Sequence, residues 1–191
     1  MRKILFILLA AVLTSFVTFP VFAQETTMMA TPEAMPSVML TPTPVDYQLP
    51  YPGILSTNPF YKLKALRDRI IGFLISDPVK KVEFDLLQAD KRLNAGWYLW
   101  QQSPKEEMAI SDIISKGNNY FSEAIIQERL AKQQGNNIVD VNQQLYTSSL
   151  KHEEVLQKMI QTASPTLKQS LQQEYTRTVQ FQKMVSPLMS K

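Results

Sequence analysis

The sequence predicts an all-α fold, an antiparallel up-and-down bundle of about five helices behind an export segment and a flexible Pro/Thr/Met-rich stem. Three observations predict it. Beyond Tyr47, apolar residues recur at three- and four-residue steps, with no strand-like alternation. A capping side chain stands directly before a proline four times, at Asn58-Pro59, Asp77-Pro78, Ser103-Pro104 and Ser164-Pro165. The cap's oxygen accepts a free backbone N–H, and proline at the first helical position lacks an N–H that would go unpaired anyway. Glycine, a helix breaker, is rare: 5 in 191 residues.

The chain opens with Met1-Arg2-Lys3 and an uncharged run from Ile4 to Phe22. Val21 and Ala23 are small residues three and one before a cut at Gln24, so residues 1–23 read as a cleaved signal peptide. The rival is an uncleaved membrane anchor, because the run approaches the ~20 residues that span a bilayer. Pro20 and the cut site favour cleavage and an exported, periplasmic or extracellular protein. Loss of Arg2 and Lys3 leaves 18 of the 20 basic side chains against 17 acidic ones. That balance, with no basic stripe interleaved with aromatics, argues against nucleic acid as a partner. The chain has no cysteine, so neither disulfides nor a lipidated cysteine is available, and stability rests on a packed core.

Residues 24–46 form the stem. Pro32, Pro36, Pro42 and Pro44 block helix and sheet and favour an extended, solvated tether. Met28, Met29, Met35 and Met39 carry thioethers that suit Cu(I), so the alternative function is a soft-metal binder or metal-responsive periplasmic helper that uses them, with His152 as a further candidate ligand. Their irregular spacing and the lack of a nearby histidine argue against it.

The body, residues 47–191, is expected to hold the helices. The first runs from about Pro59 to Ile75, with Leu63, Leu66, Ile70 and Phe73 on one face. Lys62, Lys64, Arg67 and Arg69 accompany them, a basic amphipathic pattern that also suits an anionic membrane surface. The tight Asp77-Pro78 turn favours packing of that face on the second helix instead. The second helix, Pro78 to about Gln102, carries a three-four seam of Val79, Val82, Leu86, Ala89, Leu93, Gly96 and Trp100. Phe84, Leu87 and Trp97 are expected to widen that seam.

The third helix, Pro104 to about Gln134, opens on a capping box, Ser103 with Glu106, and stops at Gly135. Its inward residues are Ile110, Ile113, Ile114, Gly117, Tyr120, Phe121, Ala124 and Ala131. The fourth, Val141 to Thr162, is weakly capped by Asp140 and Gln143 and turns Val141, Leu145, His152, Leu156 and Met159 inward. The fifth starts at Pro165 with Leu167, Leu171, Tyr175 and Thr178, a thinner apolar face that ends near Ser186-Pro187. Asp112/Lys116, Glu128/Lys132 and Glu154/Lys158 place acid four residues before base, as on solvated outer faces.

Candidate chemistry is sparse, and no catalytic or cofactor-binding residue emerges. His152 is the single histidine, so a serine–histidine pair would have to use it, and no Gly-x-Ser-x-Gly elbow supports one. A half-buried structural histidine or an interhelical hydrogen bond is the simpler reading. A di-metal bundle needs two Glu-x-x-His motifs, yet Ser149 stands three residues before His152. Glu83, Asp85 and Asp90 alternate with Lys80, Lys81, Lys91 and Arg92, which reads as a mixed solvated face rather than paired catalytic carboxylates.

Several stretches carry a family resemblance. They are Tyr51-Pro52-Gly53-Ile54-Leu55, Asn58-Pro59-Phe60-Tyr61-Lys62-Leu63-Lys64, and Arg67-Asp68-Arg69 with Phe73 and Asp77-Pro78. Further on come EFDLLQADKRL from Glu83 to Leu93, Lys151-His152-Glu153-Glu154-Val155-Leu156, and Ser164-Pro165. Together they resemble domain of unknown function 5667, a bacterial and archaeal family of exported helical proteins. Phe60, where an aliphatic residue is common, and a Gln-rich last helix depart from that pattern. The resemblance implies an all-helical exported domain and no activity; His152 matches the family's histidine, with no role attached. The expected function is a non-catalytic cell-envelope module that contacts an envelope or extracellular protein or gives structural support. An enzyme with a diffuse polar site is the third reading, lacking convergent groups.

Overall fold

The computed structural model describes residues 44–55 and 57–186. Among them are five helices and no strand: α1 Tyr61–Leu74, α2 Pro78–Gln102, α3 Glu107–Gln133, α4 Val139–Thr162 and α5 Pro165–Val185. The expected export segment and the stem methionines lie outside the described residues.

Two of the four proline signals cap helices. Asp77 accepts from the Val79 and Lys80 N–H groups at 2.9 and 3.1 Å, and Ser164 Oγ accepts from the Leu167 N–H at 3.3 Å. The other two make turns. Asn58 Oδ1 accepts from the Phe60 N–H, and α1 starts only at Tyr61. Ser103 ends α2 by donating its N–H to Leu99 O, and its own carbonyl accepts from the Glu106 N–H. The expected capping box is therefore absent, and α3 starts at Glu107. The physical reason is that Ser-Pro suits a tight turn as well as a helix start, and the short α2–α3 connection needs the turn. Gly135 stops α3 as expected. At φ 78° it closes a Schellman motif, with Asn136 N–H on Ala131 O and Gly135 N–H on Lys132 O. Asn137, rather than Asp140 and Gln143, opens α4 by accepting from the Val139 N–H.

Helices α2 to α5 alternate in direction and form the bundle. Helix α2 lies against α3 and α4, and α5 lies against the same two, so α3 and α4 face each other across the diagonal. The α2–α3 contact is close because Gly96 leaves room for Ile114. A Cβ on Gly96 would lie 2.5 Å from Ile114 Cγ1.

The core divides into two apolar halves. One joins Leu93, Leu99, Ile110, Ile113, Ile114, Leu156, Met159, Leu167 and Leu171. The other joins Val82, Leu86, Ala89, Phe121, Ala124, Val141, Leu145, Phe181 and Val185. The seam expected on α2 is buried at Val82, Leu86, Ala89, Leu93 and Gly96, but Leu87 points outward and is exposed.

Before α1, the chain from Pro44 to Leu55 runs without helix over the bundle. The Val45 N–H donates to Glu154 Oε2 at 2.9 Å, and Asn94 Nδ2 donates to Pro50 O at 2.9 Å. Leu49 and Leu55 pack on the first core half. This strap ties α2 to α4, and the last residues assigned to the stem belong with the body.

Candidate functional site

Two regions of the body are candidates for a functional role: a polar layer inside the bundle and an apolar stripe outside it. The layer lies between the two core halves. Asp90 on α2 is its hub: Asp90 Oδ1 accepts from Ser148 Oγ at 2.6 Å and lies 2.8 Å from His152 Nε2, and Asp90 Oδ2 accepts from Tyr47 Oη at 2.5 Å. Across the bundle, Asn118 Nδ2 donates to Glu174 Oε2 at 2.8 Å and to the Glu174 carbonyl at 3.0 Å. Burial and the Asp90 charge raise the Tyr47 hydroxyl pKa, so the phenol keeps its proton to donate.

This geometry corrects three expectations. His152 makes the interhelical hydrogen bond that the sequence suggested, to Asp90, but it is 1% exposed rather than half-buried, edge-on to the Phe121 ring at 5.2 Å. Asp85, Asp90 and Arg92 are not on a solvated face; all three are buried. Arg92 stacks 4.1 Å over the Tyr120 ring and donates to Gln88 Oε1 at 2.7 Å. Glu128 is likewise buried with Oε1 unpartnered, so the expected Glu128/Lys132 pair is not formed, whereas Asp112/Lys116 and Glu154/Lys158 are. Glu154 is buried too. Burial would raise its carboxyl, but bonds from Lys158, Lys151 and the Val45 N–H outweigh that and hold it at about 2.

Chemically, the layer orders side chains rather than presenting them. Ser148 Oγ bonds Asp90 instead of His152, and His152 has its Nε2 committed and its Nδ1 buried. Among the described residues no group of three acidic or imidazole side chains converges as a metal site. Sequence reasoning missed Asp90 because its neighbours Lys91 and Arg92 suggested solvent. The one usable signal was its position one residue after the seam residue Ala89.

Asp85 gives a pH-dependent prediction. Burial lifts its carboxyl from 3.8 to about 6, and Lys81 at 3.7 Å offsets only part of that. Between those values the folded chain holds a proton that the unfolded chain releases. The favourable protonated state is therefore complete below 3.8 and lost as pH rises through 6. Asp85→Asn keeps the shape without the charge. It is expected to stabilise the fold by roughly 2 kcal/mol at pH 8, falling towards zero near pH 4. Urea unfolding of both proteins across that range measures it; a gap that does not change with pH would refute it.

The second region is α1. Leu63, Leu66, Ile70, Ile71, Phe73 and Leu74 are all exposed, Phe73 at 86%. The expectation that this apolar face packs on the second helix is overturned. The bundle side of α1 is instead Asp68 and Gly72, both buried, with Tyr61 and Ala65 half-buried. Gly72 approaches Phe84 and Lys81, and Lys81 Nζ donates to Gly72 O at 2.8 Å. Asp77-Pro78 does turn the chain sharply, but the contact it sets up needs a small residue where the helices cross. Gly72 meets that need, on the side opposite the leucines.

Lys64 Nζ holds the strap to α1 through Pro52 O at 2.8 Å. A shallow groove of ≈ 600 Å³ lies beside the stripe, lined by Tyr51, Ile54, Phe60, Leu63, Arg67 and Lys91 among others. No described helix is long and apolar enough to cross a membrane. The resemblance to domain of unknown function 5667 rests on its short motifs alone, for the chain matches no family model, no curated protein and no solved structure.

Proposed function

We propose that this chain is a non-catalytic, exported helical module that works by contact, with the bundle as scaffold and α1 as the contact surface. One observation carries the reading: α1 turns its apolar stripe to solvent and its small and polar residues to the bundle. Contiguous exposed apolar surface on a folded domain marks an interaction site. The buried polar layer supports the same division of labour, since it fixes the scaffold and leaves its titratable groups out of reach. Export rests on residues 1–23, and the motif resemblance implies the same class of protein.

A photo-crosslinking residue placed at Leu66 in living cells tests the reading, with Thr176, exposed on α5, as the control position. Adducts to an envelope component at position 66 and none at 176 are expected. No adduct at position 66, or equal adducts at both, would count against α1 as the contact surface.

A further inference from the structure

We propose that the occupant of the α1 stripe is the surface of an anionic phospholipid bilayer, on which α1 lies flat; this rests on the reading of α1 as the contact surface. At 3.6 residues per turn, Leu63, Leu66, Ile70, Phe73 and Leu74 fall within an arc of roughly 100°. Lys62 and Arg69 flank that arc on one side and Arg67 on the other, while Lys64, further round, is bound to the strap. The acid of the helix, Asp68, is buried on the opposite side, where Arg67 Nη2 lies 2.7 Å from its Oδ1. The exposed surface of α1 is therefore an apolar strip with cationic edges and no carboxylate.

That pattern selects among occupants. A second copy docked stripe to stripe would set cationic edge against cationic edge. A protein groove would need an apolar floor and acidic walls on both sides. An anionic bilayer supplies the apolar layer and the phosphates everywhere on its surface. Arginine and lysine stems reach from the apolar boundary to the headgroups, which is where the exposed Lys62, Arg67 and Arg69 of α1 stand. The helix is about 21 Å long, enough to sink all five apolar side chains side by side. The groove with Arg67 and Lys91 on its rim extends the cationic edge on one side.

The absence of cysteine makes the test clean. Full-length L66C, I70C and T176C chains carry an environment-sensitive fluorophore at the new cysteine. Each is mixed with phosphatidylcholine vesicles, or with vesicles that also hold phosphatidylglycerol. We expect a blue shift, and quenching by chain-brominated lipid, at 66 and 70 with the anionic vesicles only. No change is expected at 176, and the K62E/R69E background should abolish the shift. Any insertion of the N-terminal run is common to all variants and cannot produce this positional pattern.

Leu66→Glu with Ile70→Glu should weaken binding to the anionic vesicles by about tenfold or more with an unchanged unfolding midpoint, since both side chains are exposed. Silent labels at 66 and 70 would overturn the bilayer as occupant, as would an equal response to neutral vesicles. So would a concentration-dependent response without vesicles, which would point to a second copy. If the labels are silent but position 66 still crosslinks to a protein in cells, the contact-surface reading survives with a protein occupant. If both are silent, both fail.

Discussion

Asp90→Ala is expected to destabilise the fold by about 3–5 kcal/mol, because it removes the acceptor that three buried or half-buried donors share. Ser148 Oγ and His152 Nε2 both meet Asp90 Oδ1, and Tyr47 Oη meets Oδ2. Ser148 is 0% and His152 1% exposed, so neither can turn to water in compensation. Tyr47 would also lose its anchor, loosening the strap over α2 and α4. Asp90→Asn separates the contributions: it keeps an oxygen for Ser148 but removes the charge, and about half the loss is expected. Urea unfolding at pH 7 measures both. An Asp90→Ala loss below about 1 kcal/mol would show that the layer does not need its hub.

Phe121→Ala is expected to cost about 3–5 kcal/mol by leaving a cavity at the centre of one core half. The ring is 0% exposed and stacks on Phe181, centroids 5.1 Å apart and planes 9° from parallel. It also closes the apolar side of the polar layer by meeting His152 edge-on. Because His152 Nδ1 has no partner beside it, water that enters the new cavity can bond there. The loss should therefore fall toward the lower end of that range, and Phe121→Leu should recover more than half of it. Unfolding curves that show less than about 1 kcal/mol for Phe121→Ala would mean that the diagonal of the bundle is loosely packed.

These two predictions show why buried polar positions were hard to read. The apolar periodicity of α3 named Ile110, Ile113, Ile114, Phe121 and Ala124 correctly, because neighbouring helices cover the apolar side of α3. An aspartate beside lysine and arginine has two destinations, solvent and core. Asp90 is inside because α4 offers Ser148 and His152 at the matching level and the strap adds Tyr47. None of those partners is near it in sequence. Glu154 is the same case: its pairing with Lys158 was legible, but its burial depends on Val45, from a segment read as free stem.

Helix α1 failed in the opposite direction. Its amphipathic pattern was legible, but which face met the bundle was not. Periodicity reports that a helix has an apolar side, not that a partner stands on that side. The side was decided by Gly72, which lets α1 approach Lys81 and Phe84 closely.

By itself, the sequence determined what local chemistry controls: the helical class, the caps at Asp77 and Ser164, the stop at Gly135 and the apolar seams of α2 to α5. Each follows from residues within a turn or two of one another. Only the tertiary structure decided which polar side chains are buried, how the strap closes over the bundle, and that α1 faces its leucines outward. Those outcomes depend on partners far away in the chain, and a charged side chain is buried only where such partners satisfy its hydrogen bonds.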